Sequence, residues 1–107
     1  MNGAREESRM TQTAARIESI LRAKFDPVHF AIVDETARHA GHLGAASGGG
    51  HYHVVIVSDA FEGRSRLEQH RMVHRALGEM MGRQIHALGL RTIPTSEWDR
   101  ETGPIKP

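Results

Sequence analysis

The sequence predicts an α+β fold, a single domain whose elements follow the order α-β-β-α-β and whose three strands form one mixed sheet. Three observations predict it. Two segments carry apolar residues at helical spacing, and three others are short, apolar and rich in β-branched residues. The connections between the strands are first a loop and then a helix, which fixes their relative directions. The 107 residues amount to one domain spanning 1–107, with an ordered core over about 11–100. A chain of this size buries roughly 60 to 70% of the surface its unfolded form exposes.

The first helix runs from about Thr11 to Phe25, where Ile17, Ile20, Leu21 and Phe25 form a one-sided stripe, with Thr11 or Thr13 as N-cap and Pro27 as the stop. "VHFAIVDE" (Val28 to Glu35) and "HYHVVIVSD" (His51 to Asp59) read as strands, and the Gly-rich stretch between them as a long hairpin loop. "AFEGRSR" is a turn centred on Gly63. Leu67, Val73, Leu77, Met80 and Met81 then mark a second helix from about Ser65 to Gly82. "QIHALGLRTI" (Gln84 to Ile93) is the third strand, closed by Pro94, after which Thr95 or Ser96 caps a single helical turn. The first residues and the tail from Glu101 are expected to fray.

A hairpin makes strands one and two antiparallel, whereas a helical crossover makes strands two and three parallel. The end of strand one and the starts of strands two and three then share one end of the sheet. His39, His51 and His86 are expected to meet there.

Lysine and arginine number 14 against 13 acidic residues, so nucleic-acid contact would need a local basic face. No stretch approaches the about 20 apolar residues of a membrane span. "MNGAREESRM" lacks the apolar block of a secretory signal and has two glutamates, so the expected location is the cytoplasm, with no membrane association. The chain has no cysteine, which excludes disulfides, thiol catalysis and any Cys-only zinc or iron–sulfur site built from this chain alone. Eight histidines remain as soft-metal ligands, four of them (His39, His42, His51 and His53) in "RHAGHLGAASGGGHYH". Loop histidines are ordinarily solvated, and His86, which alternates with Leu88 and Leu90, reads as a partly buried, hydrogen-bonded residue.

His70 and His74 have the i, i+4 spacing of a zinc pair, but "HRMVH" places Arg71 where a metalloprotease needs its glutamate. "GHLG" has the GxxG pattern of a KH backbone clamp in the wrong setting, a hairpin loop. "GAASGGGH" is not a P-loop, because no Gly-Lys-Ser/Thr follows and it leads into a strand. Arg64, Arg71, Arg75 and Arg83 place a basic stripe along the second helix that can meet phosphates or an acidic partner, while Glu79 and Arg83 are spaced as an exposed pair. Ser58, Ser65 and Ser96 lie in no nucleophile-elbow pattern, and the adjacent Asp34 and Glu35 point to opposite faces, so no enzyme is expected.

"VDETARHAGH", "HYHVVIVSDAFEGRSRLEQHRMVHRAL" and "IHALGLRTIPTSEW" together resemble the BolA family, from about Arg16 to Trp98. The resemblance rests on Phe61 and Gly63, on His70 and Arg71, and on His86, Ala87 and Leu88. It implies a fold similar to class II KH domains, and a heterodimer with a monothiol glutaredoxin that shares a [2Fe–2S] cluster with it and with glutathione. The family's strand histidine falls on His86 and its loop ligand on His39, with His42 and His51 as further candidates because "GHLGAASGGG" is longer and richer in glycine than the family's loop. Zero cysteine suits this division, the thiolates coming from the partner side. The runner-up that the resemblance implies is transcriptional control of stress and cell-shape responses, with Arg64, Arg71 and Arg75 near DNA; a third reading is an adaptor that binds the glutaredoxin without metal through the same face.

Overall fold

The structure, a computed structural model, describes residues 11–36 and 50–102. Helix α1 (Gln12–Phe25) starts where the Thr11 side chain accepts a hydrogen bond from the Ala14 N–H, and it stops at Asp26 in the left-handed region, one residue before Pro27. Strand β1 (His29–Asp34) pairs antiparallel with β2 (Gly50–Ser58), and β2 pairs parallel with β3 (Ile85–Pro94), giving the sheet order β1-β2-β3. Between β2 and β3 lies α2 (Arg66–Leu77), capped by Ser65 and followed by a 3₁₀ turn over Gly78–Met80. Helix α3 (Thr95–Thr102) closes the chain's described part. The mixed sheet and helix order are those the sequence predicts.

Period-two alternation divides the sheet's faces. Tyr52, Val54 and Ile56 point to α1 and α2, where they pack with Ile17, Leu21, Phe25, Phe61, Val73 and Leu77. The opposite face carries His51, His53, Val55 and Val57 of β2, beside their register partners Val33, Ala31 and His29 of β1. One end of that face is covered by α3, whose Trp98 ring stacks on His29 with centroids 4.7 Å apart. Val57 and Ile93, which are buried yet separate from the main core, lie at this end.

Four expectations need correction. The second helix ends at Leu77, because Gly78 takes φ 56, ψ −126, so Glu79 and Arg83 are not helix neighbours and no ion pair joins them. Leu67 is 60% exposed, and the position facing the core one turn before Val73 is Gln69. Its amide donates to the carbonyls of Phe61 (3.3 Å) and Arg64 (2.8 Å) and its oxygen accepts from Thr92 Oγ1 at 2.6 Å, so burial leaves no polar group orphaned. Pro94 ends the strand from within. Third, α3 is two turns long, with Glu62 accepting from the Ser96 N–H (2.8 Å) and hydroxyl (3.0 Å) at its start. Fourth, Glu101 lies in its last turn, paired with Arg91 at 3.1 Å, and is not a frayed tail. Among the described residues no helix is long and apolar enough to cross a membrane.

Candidate functional site

The starts of β2 and β3 meet at one end of the sheet. His51 is held there through its backbone: its carbonyl accepts from the Glu35 N–H at 2.7 Å, and its N–H donates to Thr36 Oγ1 at 3.0 Å. Thr36 is itself fixed, its N–H donating to Asp34 Oδ1 at 2.9 Å in an Asx turn. The exit from β1 thus clamps the second residue of β2. The glycine before it has a packing reason, since a Cβ on Gly50 would stand 2.5 Å from the Tyr52 ring and its hydroxyl oxygen. Tyr52 folds back over Gly50 into the core and leaves His51 and His53 on the other face.

The β2–β3 register shifts between Gly50, paired with Ile85, and His51, paired with Ala87. His86 is therefore the extra residue of a bulge, a device that re-aims a side chain. Its ring lies 5.2 Å from that of His51, tilted by 39°. This corrects the reading of His86 as a partly buried residue on the Leu88 and Leu90 face. It is exposed, and the bulge breaks the alternation that would have turned it with them. His39 and His42 lie outside the described residues.

Two imidazoles at this spacing suit two positions of a metal centre whose remaining ligands come from elsewhere. Among the described residues no group of three or more His, Asp or Glu side chains is arranged to hold a metal by itself.

The other functional candidates lie on α2. Arg64, on the turn before it, pairs with Glu68 at 3.4 Å, whereas Arg71 and Arg75 are exposed and have no carboxylate partner among the described residues. Arg64 and Arg75 border a cleft between α1 and α2 with Lys24, Phe25 and Met72. Arg71 and Arg75 flank the exposed Leu67. The basic stripe expected from spacing is thus split, and Arg83 lies beyond the helix. His70 is half-buried, and desolvation, with the neighbouring His74 and Arg66, lowers its pKa from the ordinary 6.5. Sequence reasoning missed Thr36, Gln69 and Gly89. For Thr36 the signal was available in "DET", an Asp-x-Thr turn pattern at a strand end.

A family model described as BolA-like protein matches residues 21–97. The Escherichia coli K12 protein named DNA-binding transcriptional regulator BolA is 44% identical over 84 residues, covering 78% of this chain and 77% of its own. Human BolA-like protein 1 is 34% identical over 86 residues, 77% of this chain and 61% of its own. Among solved structures, the BolA domain of SufE1 from Arabidopsis thaliana superposes with a TM-score of 0.71 at 31% identity, over 81% of this chain and 96% of that one. The solution structure of BolA1 from Mus musculus gives 0.70 at 31% identity, over 91% of this chain and 77% of that one.

Proposed function

The chain belongs to the BolA-like family, and from that premise we propose that it is a non-enzymatic accessory protein that holds a [2Fe–2S] cluster jointly with a monothiol glutaredoxin and glutathione, in cluster trafficking or iron and redox homeostasis. The observation that carries the reading is the His51–His86 pair, 5.2 Å between ring centroids at the open end of the sheet. His86 is the fixed ligand, and His39, His42 or His51 supplies the second. The bulge keeps His86 outward, within reach of a partner, while Asp34 and Thr36 hold the backbone of His51 beside it. Having no cysteine, the chain offers no thiolate, and the thiolates come from the partner side. When bound with imidazoles in place of thiolates, such a cluster carries less negative charge and is easier to reduce.

The test is reconstitution with a monothiol glutaredoxin and glutathione, read by visible circular dichroism. The wild-type chain gives a spectrum distinct from that of glutaredoxin alone, and His86→Ala abolishes the difference. Among His39→Ala, His42→Ala and His51→Ala, the variant that behaves like His86→Ala identifies the second ligand. A glutaredoxin spectrum unchanged by the wild-type chain would sink the proposal.

A second reading, binding to DNA, is favoured by Arg71 and Arg75 on α2, which have no carboxylate partner among the described residues, and by the name of the Escherichia coli relative. Its signature is affinity for duplex DNA that falls steeply with salt, because each neutralised phosphate releases counterions. A cluster-bridged complex responds far less.

A further inference from the structure

The outer edge of β3 is a groove. Sheet order β1-β2-β3 leaves one side of β3 without a neighbouring strand, and beyond Ile85 no backbone group across that edge is hydrogen-bonded among the described residues. Leu90, Arg91, Thr92 and Ile93 line one cleft of about 340 Å³. Side chains of consecutive strand residues point to opposite faces, so a cleft on either face touches every second residue. A cleft that touches four in a row runs along the strand's edge, over about 10 Å of it at a strand's rise.

The groove has walls of opposite charge. On the side of α2 stand Arg66, the cation of that wall, and His70, whose lowered pKa favours the neutral imidazole, and on the side of α3 stand Glu97 and Glu101. Arg66 is exposed and has no carboxylate partner among the described residues, while Glu101 is shared with Arg91 at 3.1 Å. His53 reaches the same groove from the middle strand by lying across Gly89, where a Cβ would stand 2.6 Å from its Cδ2. Glycine inside a strand weakens it and marks a close approach, and the backbone of Gly89 has no positive φ that would otherwise call for it.

We propose that this groove takes an extended segment of a partner polypeptide as a fourth strand, with acidic side chains toward Arg66 and His70 and basic side chains toward Glu97. Main-chain hydrogen bonds to the free edge supply affinity, and the two walls read alternate residues. A single-stranded nucleic acid fits less well, because Glu97 and Glu101 would face its phosphates. The free edge is also the kind of surface that proteins ordinarily blunt, and among the described residues of this edge Arg91 and the terminal Pro94 do so.

The probe is acetyl-(Glu-Lys)₄-amide, whose strand form places every glutamate on one face and every lysine on the other. Titrated into the full chain and followed by amide chemical shifts, it moves Leu90 to Ile93 and Arg66. Arg66→Glu weakens it at least fivefold, and this variant keeps its fold, since a carboxylate in the first turn of a helix favours the helix dipole. An unchanged thermal midpoint checks that. Two isomers, N-methylated on all glutamates or on all lysines, separate strand addition from simple charge attraction, since one loses binding at least tenfold and the other keeps it. Equal binding by both isomers, or shifts confined to other residues, overturns the proposal. So does displacement of the peptide by octathymidylate, which would make the groove a nucleic-acid site. Concentration-dependent shifts at Leu90 to Ile93 without peptide also overturn it, by showing a second copy as the occupant.

Discussion

Gly89 and Gln69 show how single residues set the geometry around the groove. At Gly89 two effects of similar size oppose each other when alanine is introduced. Strand interiors gain roughly 0.5–1 kcal/mol when glycine is replaced by alanine, while the new methyl collides with the His53 ring, which escapes by rotating its side chain. Gly89→Ala is therefore expected to change stability by less than about 1 kcal/mol and yet to expel His53 from the groove. Urea unfolding and the imidazole resonances of His53 check the two halves separately, and an unmoved His53 would show that the ring was not held by lack of space. Gln69 is the opposite case, a residue whose loss nothing offsets. Gln69→Leu removes the donor to two carbonyls, of which that of Phe61 is buried and that of Arg64 partly so, and the acceptor for the buried Thr92 Oγ1. A loss of about 2–3 kcal/mol is expected from those orphaned groups. Urea midpoints of Gln69→Leu and Gln69→Glu would reveal it, and a Leu variant as stable as wild type would mean that water replaces the amide.

At the scale of elements, α2 combines core support with a crowded cationic surface. His70 is desolvated and stands near His74 and Arg66 on its own helix, while His53 and Arg91 of the sheet and Glu97 and Glu101 of α3 line the same groove. Its folded pKa lies below the ordinary 6.5, so below pH 6.5 the unfolded chain binds more protons than the folded one. This contribution to stability is constant above that pH and is lost as pH falls from 6.5 toward the lower folded value. His70→Gln is expected to flatten that segment of the stability profile, measured by urea unfolding between pH 7 and 5, and an unaltered slope would assign the dependence to other groups. The same helix shows what was legible in the sequence. Val73 and Leu77 follow from the 3.6-residue period, whereas Leu67 breaks it because a buried amide, Gln69, occupies the core-facing place and hydropathy does not mark it. Strand directions followed from connection types alone. The bulge that exposes His86 did not, because alternation assumes an unbroken register. The Trp98 stack and the second turn of α3 were hidden for a related reason: the stacking partner, His29, is remote in sequence.

Across the whole molecule, β3 serves two candidate sites from its two ends. Its start presents His86 to His51 beside the exit of β1, and its far half forms the groove between α2 and α3. From His86 to Arg91 the strand advances about 16 Å at its ordinary rise, farther than the separation at which substitutions usually become additive. The ligand pair depends on the bulge and on the Asp34–Thr36 clamp, and the groove depends on Gly89, on α2 and on α3 held down by Trp98. No side chain belongs to both sets. The two sites are therefore expected to be independent. His86→Ala should leave the (Glu-Lys)₄ titration within twofold of wild type, and Arg66→Glu should leave the visible dichroism of the reconstituted heterodimer unchanged. Should Arg66→Glu alter that spectrum, the glutaredoxin would itself reach the β3 edge, and the groove would be part of the cluster-sharing interface. If instead His86→Ala alters peptide binding, the bulge sets the register of the whole strand, and the free edge moves with it.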